Sequence, residues 1–185
     1  MNIFILDEDP ARAARMHCDK HVPKMIVESA QMLSTAHRLL DGEEYTALSK
    51  SGKRMVKHYR LPEHDDVIYK AVHAKHPCTI WTMESAQNYI WHYKLFRELA
   101  SEFKYRFHKT HKSWQLLKDI LYPTPVNIPW FNNLTPPAKA MKAYPDIMAI
   151  DDPVEAYRKF YKADKSDFAV WKRGRDMPQW YKEVD

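Results

Sequence analysis

The stretch that follows His76-Pro77 is the strongest constraint on the fold. Thr79 is placed to cap a helix, and Ile80, Met83, Ile90, Tyr93, Phe96, Ala100, Phe103 and Phe107 then recur at helical spacing on one face. A second face carries Glu84, Asn88 and His92. This predicts one uninterrupted helix of about 28 residues, roughly 40 Å long at 1.5 Å per residue. The chain has 185 residues, the size of one ordinary domain, so such a helix sets its long dimension and the other elements must pack along it.

Two further helices have clear starts. Asp9-Pro10 supplies a cap and a proline for the first helical position, opening a helical stretch from Ala11 to about Leu40. Pro23 cannot donate to the carbonyl of Asp19, which predicts a kink or restart between those residues. Beyond it Val22, Ile26, Ala30, Leu33 and Leu40 form an apolar face, and Lys24, Glu28, Gln31 and Thr35 share another. Asp152-Pro153-Val154-Glu155 starts the third main helix, with Val154, Tyr157, Phe160 and Tyr161 as its apolar stripe. Residues 41–76 are polar, with possible helices over Tyr45 to Tyr59 and Asp65 to His73. Residues 2–6 read as a short strand or extended arm, and the tail from Trp171 to Asp185 as irregular.

Glycine decides between fold classes here. The chain has three, where an average composition of roughly 7% would give about four times as many, so glycine-rich phosphate loops and dinucleotide fingerprints are missing. Seven of its twelve prolines fall between Tyr122 and Pro153, among Trp130, Phe131, Leu134 and Tyr144, which suggests a strap packed across helices rather than a free linker. The expected fold is all-α: one domain over 1–185, a bundle of three main helices with a short N-terminal arm and a Pro-rich strap at 122–153. No apolar run approaches the roughly 20 residues of a membrane span, and Met1 to Leu6 is too short for a signal peptide before Asp7-Glu8-Asp9. Cys18 and Cys78 show no pairing pattern, as in a reducing compartment. The protein is expected to be a cytoplasmic monomer that does not bind membranes.

Four groups of residues can carry chemistry. His17 and His21 lie one helical turn apart and form an alternative metal pair with Cys18 or Glu28, although no third and fourth ligand stand at a known spacing. Glu28 shares a face with His21, Lys24 and Gln31; a carboxylate there is either a functional group or the surface partner of Lys24. Cations alternate with rings in Lys104-Tyr105-Arg106-Phe107-His108-Lys109-Thr110-His111-Lys112-Ser113-Trp114. They do so again from Arg158 to Arg175 through Lys172 and Arg173, and a third basic run spans Lys50, Lys53, Arg54, Lys57 and Arg60. Such runs are either solvated helix faces or the phosphate-neutralising, base-stacking pattern of a nucleic-acid surface. The net charge of +5 suits the second. Finally, His73 and His76 precede a helix start, where they are ordinary surface residues or hold a phosphate.

Asp19-Lys20-His21, followed after six residues by Glu28, resembles the first-helix signature of the phage-type pyrimidine-dimer DNA glycosylases with AP-lyase activity, the dimer-specific endonuclease V family. The loop at His76-Pro77 before the next long helix is similar, and Pro178-Gln179-Trp180-Tyr181-Lys182 resembles that family's Pro-x-Trp-Tyr-Lys ending. The matches cover about half the chain. Val27 and Gln31 stand where the family places arginines, and this chain is longer between its first two helices and in the strap.

The resemblance implies a DNA glycosylase and AP lyase with no cofactor, acting on a damaged or modified base in double-stranded DNA. The reacting α-amine would belong to Met1 or to Asn2, with Glu28 as the catalytic carboxylate. DNA would be held by His21, Lys24, Gln31, His76, Arg106, Lys109, Lys112, Arg173, Arg175, Trp180, Tyr181 and Lys182. An α-amine titrates near pH 7.7–8.0 in a model peptide, so a useful fraction of it is nucleophilic at neutral pH. Two other readings stand beside this one: a nucleotide- or base-modifying enzyme of another class, metal-dependent through His17 and His21, and a non-catalytic nucleic-acid-binding protein.

Overall fold

A computed structural model of the chain describes residues 1–49 and 51–182. Its elements in order are α1 (Pro10–Met16), α2 (His21–Asp41), β1 (Glu43–Leu48), β2 (Met55–Arg60), α3 (Pro77–Glu84), α4 (Ala86–Phe107), α5 (Lys112–Leu117), α6 (Pro145–Met148), α7 (Pro153–Lys165) and α8 (Gln179–Lys182). Asp9 accepts hydrogen bonds from the amides of Ala11 and Arg12, as a capping residue before Pro10 should. The chain leaves helical geometry at His17 and restarts at His21, which puts Pro23 in the first turn of α2, where its missing N–H costs nothing.

The single long helix expected from Thr79 onward is two. Ser85 adopts extended backbone (φ −152°, ψ 157°), and its Oγ accepts from the Asn88 amide to cap α4. The freed Ala86 amide donates to the carbonyl of Pro129 in the strap. The break rotates the faces. Ile80 is half exposed, whereas Asn88 and His92, expected on a polar face, are fully buried. Asn88 satisfies its amide against Trp81 O and Thr135 Oγ1, and His92 bonds Thr82 Oγ1 at 2.8 Å.

The fold is not all-α. Among the described residues eight helices are joined by a two-stranded antiparallel sheet, β1 against β2, pairing Glu43 with Arg60 and Leu48 with Met55. This hairpin occupies the stretch where a helix over Tyr45 to Tyr59 was expected. Gly42 ends α2 there, and Gly52 takes the positive φ of 70° that the turn between the strands requires. Tyr45, Thr46, Val56 and Tyr59 are β-formers, and Tyr45 stacks on His58 across the strands at 5.3 Å. The second expected helix, Asp65 to His73, is irregular chain organised by Arg38. That fully buried guanidinium donates to the carbonyls of Tyr59, Asp65, Ile68 and Tyr69 and to the Asp65 carboxylate. Lys50, from the early basic run, lies outside the described residues, as do the last three of the tail.

One contiguous core joins the arm, α1, α2, α3, α4 and α7. The arm residues Ile3, Phe4, Ile5 and Leu6 are all buried, and Phe4 turns the chain with φ 51°. The strap is packed on this core through Ile128 and Met141. Cys18 and Cys78 are free and buried. Among the described residues no helix is long and apolar enough to cross a membrane.

Candidate active site and nucleic-acid groove

The arm runs beside α2 in the opposite sense, so Phe4 meets His21 (rings 4.9 Å apart) and the first two residues meet Glu28 two turns further on. Glu28 Oε2 accepts the Asn2 amide proton at 2.8 Å and lies 3.8 Å from the α-amine of Met1. Its Oε1 is 3.6 Å from Lys24 Nζ, one turn back on the helix. The Glu28 side chain is 13% exposed, open enough for a substrate to reach and screened enough for its charge to matter. Asn2 anchors the arm. Its Oδ1 accepts from the amides of Ile3 and Phe4, and its Nδ2 donates to Ala140 O in the strap.

The start of α3 closes the other side. His76 Nδ1 accepts the Cys78 amide at 3.2 Å, leaving the other ring nitrogen to carry the proton of the neutral form. Burial pushes the His76 pKa down, and the charges of the N-terminal amine and His73 push it further, against Glu28. The ring is therefore neutral at pH 7. Burial raises the Cys78 thiol to about 11, which keeps it from acting as a thiolate. Thr79 Oγ1 donates to Met1 Sδ at 3.8 Å. Gln31 is half-buried on the turn after Glu28.

His21 is not part of this site. It is 1% exposed, packed between Phe4, Tyr161 and Phe168, and burial drives its pKa down to about 2. His17, held to about 4 by burial, bonds Ala13 O through Nδ1. The two rings lie 6.4 Å apart, centre to centre, and no group of three or more His, Cys, Asp or Glu that could hold a metal ion occurs among the described residues.

The basic residues divide into buried ties and an exposed groove. Arg106 is a tie: 3% exposed, it bonds Glu102, Asp19 and the carbonyls of Arg15 and His17, so it joins α4 to the end of α1 and cannot meet a phosphate. Arg175 pairs with Glu102 at 2.6 Å and lies over the Tyr105 ring. Trp180 and Tyr181, expected to hold DNA, are half-buried instead. Trp180 Nε1 donates to Met16 Sδ beneath the Arg158 guanidinium, and Tyr181 packs on Trp171. Lys109, Lys112 and Lys182 are exposed away from these ties.

The groove itself has a volume of about 810 Å³ between Lys104, Phe107, Lys172 and Arg173, with the Arg173 guanidinium 4.8 Å above the Phe107 ring. It shares Phe107, Lys172 and Arg173 with a second depression of about 670 Å³ that ends on Lys20, Pro23 and Phe168. Lys20 sits 4.5 Å over the Phe168 ring. From Lys20 the same helix carries Lys24 and Glu28 at successive turns, about 12 Å in all. Lys20 enters the sequence reading only through Asp19-Lys20-His21, and Phe168 lies inside the Arg158 to Arg175 run with nothing in the sequence to pair the two. Only the fold brings the α2 start against the chain after α7. No protein-family model, curated protein or solved structure matches this chain.

Proposed function

We propose that the protein is a DNA glycosylase and AP lyase that works through an imine between its N-terminal amine and a deoxyribose. The observation that carries this reading is an α-amine 3.8 Å from the carboxylate of Glu28, which lies about 12 Å along α2 from Lys20, where a cationic, ring-lined groove ends. The resemblance of Asp19-Lys20-His21 and Glu28 to the glycosylase signature supports it, and so does the Pro178 to Lys182 ending.

The groups present match the chemical requirements of such a reaction. The amine nitrogen uses its lone pair to form a bond to C1′ while the C1′–N bond to the base breaks. The electron pair leaves with the base, which takes up a proton. Opening of the sugar ring at C1′–O4′ then gives the imine. The carboxylate of Glu28 stabilises the cationic sugar and imine and accepts the proton that the attacking nitrogen sheds. The same base can take a C2′ proton, so that the 3′ phosphate departs, and water finally hydrolyses the imine and returns the amine. Lys24 offers its charge to a phosphate beside the reacting sugar, and Lys20, Lys172 and Arg173 neutralise the flanking backbone. A nucleotide must leave the stack to reach C1′, and the rings of Phe107 and Phe168 offer stacking surface along the groove.

The test is reductive trapping with cyanoborohydride on duplexes holding an abasic site or a pyrimidine dimer. A covalent protein–DNA adduct that survives chelator is expected. Glu28→Gln should lower its rate of formation by 10²-fold or more, in the range of lost acid–base catalysis, with DNA affinity retained. No adduct on either duplex refutes the reading, and undiminished trapping by Glu28→Gln refutes the carboxylate's role.

A further inference from the structure

We propose that the β1–β2 hairpin is a second DNA-holding element, whose tip lies in the major groove of the duplex beyond the catalytic site. The inference rests on the reading of the chain as a DNA-acting enzyme and names where else that enzyme holds its substrate. The hairpin carries a basic run that the groove does not use, and its charge is polarised along its length. Toward the base the charged groups are engaged. Lys57 pairs with Glu44 at 2.7 Å, the Tyr59 hydroxyl donates to the same carboxylate, and the Arg60 guanidinium lies 5.1 Å over the Tyr45 ring. At the tip Lys53 and Arg54 are exposed, and their side chains make no ion pair or hydrogen bond among the described residues. The tip is nonetheless fixed. The Ser49 amide donates to Arg54 O at 2.7 Å, the Gly52 amide donates to Ser49 O at 2.7 Å, and Gly52 supplies the positive φ. Leu48 and Met55 form the last cross-strand pair before the turn, and they are 62% and 59% exposed.

Two unpaired cations beside an exposed apolar pair match what a duplex groove presents: phosphates on its rims, base edges and thymine methyls on its floor. A major groove about 12 Å wide admits a two-stranded ribbon, whereas the minor groove is about half as wide. Glu43 and Glu44 repel phosphates from the base of the ribbon, so only the tip enters. The position along α2 also favours an extended anionic partner. Lys20, where the cationic groove ends, immediately precedes α2, and Glu43 follows it after Gly42. Between them the 21 residues of α2 span about 30 Å, close to the roughly 34 Å of one duplex turn. Glu28 lies between these two cationic elements, about 12 Å from Lys20 and about 20 Å from the end of the helix. The ribbon adds about 20 Å at most, which puts its tip within about 40 Å, or about 12 base pairs, of the reacting sugar.

The experiment compares the full chain with Lys53→Ala/Arg54→Ala and with Leu48→Ser/Met55→Ser, on a duplex about four turns long with a central abasic site. All four positions are exposed, so melting temperatures should stay unchanged. The cation variant is expected to lower the slope of log K against log salt by about 2, and the apolar variant to weaken binding with the slope intact. The unaltered chain should protect guanine N7, a major-groove atom, from dimethyl sulfate within about 12 base pairs of the abasic site, and both variants should lose that protection. Slopes equal to that of the unaltered chain overturn the inference, as does protection that survives in both variants. Loss of binding to phosphatidylserine vesicles with DNA binding intact overturns it in favour of a membrane surface. Cyanoborohydride trapping on the same duplex separates the parent reading. Duplex binding with the expected footprint but no adduct refutes the imine chemistry and leaves the hairpin's role standing, whereas no duplex binding by the unaltered chain refutes both.

Discussion

Replacing Arg106 tests the division of the cations into ties and groove. The Arg106 guanidinium is 3.0 Å from Glu102 and 3.1 Å from Asp19, and it donates to the carbonyls of His17 and Arg15 at 2.8 Å each. In Arg106→Met these acceptors lose a donor in a site closed to water. Removing one partner of a buried ion pair costs about 3–5 kcal/mol. Two of the acceptors keep a second donor, since Glu102 still holds Arg175 and Asp19 still accepts the Lys172 amide. The lower end, about 3 kcal/mol, is therefore expected, from a total that for a domain is about 5–15 kcal/mol. At about 2–4 °C per kcal/mol for a chain of this length, the melting temperature should fall by about 6–12 °C. Arg106→Lys keeps the charge but loses the fork, so it should fall between. Urea midpoints and thermal scans, followed by tryptophan fluorescence, measure this against Arg173→Ala, an exposed change that should stay within about 0.5 kcal/mol. If Arg106→Met is as stable as Arg173→Ala but binds DNA more weakly, the buried assignment is refuted.

Two other outcomes follow from the same packing. His17 and His37 are held by burial to about 4 and His92 to about 3, against 6.5 for an unhindered ring. Above that value both folded and unfolded chains carry neutral rings. As the pH falls below it the unfolded chain takes up protons that the folded one refuses, so stability should drop by on the order of 1.4 kcal/mol per pH unit per histidine. Urea midpoints between pH 7 and 5, above the carboxylate range, read this directly, and a flat profile refutes it. In the groove, Lys20→Ala, Lys172→Ala and Arg173→Ala should each lower the slope of log K against log salt for duplex DNA by about 1, whatever the sequence. Slopes equal to that of the unaltered protein would move the binding surface elsewhere.

Helix starts were the most legible part of the fold. Asp9-Pro10, Asp152-Pro153 and Pro23 act through local sterics and capping, which need no tertiary partner. The break at Ser85 was not legible, because it depends on the Pro129 carbonyl, a partner 43 residues away, to receive the Ala86 amide. The hairpin was missed because residues 43–60 carry enough polar helix formers to blur their alternation. Arg38 reads as a solvated residue on a helix, and only five backbone and carboxylate acceptors from a later segment make it a core residue. At the site, Glu28 and the N-terminal nitrogen were legible from spacing and resemblance. Whether a cation was free or tied was not, since Arg106 and Arg173 sit in similar basic-aromatic runs and differ only in what the fold lays over them.

The buried arm has a consequence for the order of events during synthesis. Phe4 packs on Tyr157, Phe160 and Tyr161 of α7, and Leu6 O accepts from Arg158. The first residues made are thus seated by some of the last, about 150 positions later. At about 5–20 residues per second, the ribosome needs roughly 8–30 s to deliver that counterpart. Until then the arm lacks that cover, so in a nascent or truncated chain ending before α7 only the ties of Asn2 to Glu28 and Ala140 should hold the amine beside the carboxylate, and less firmly.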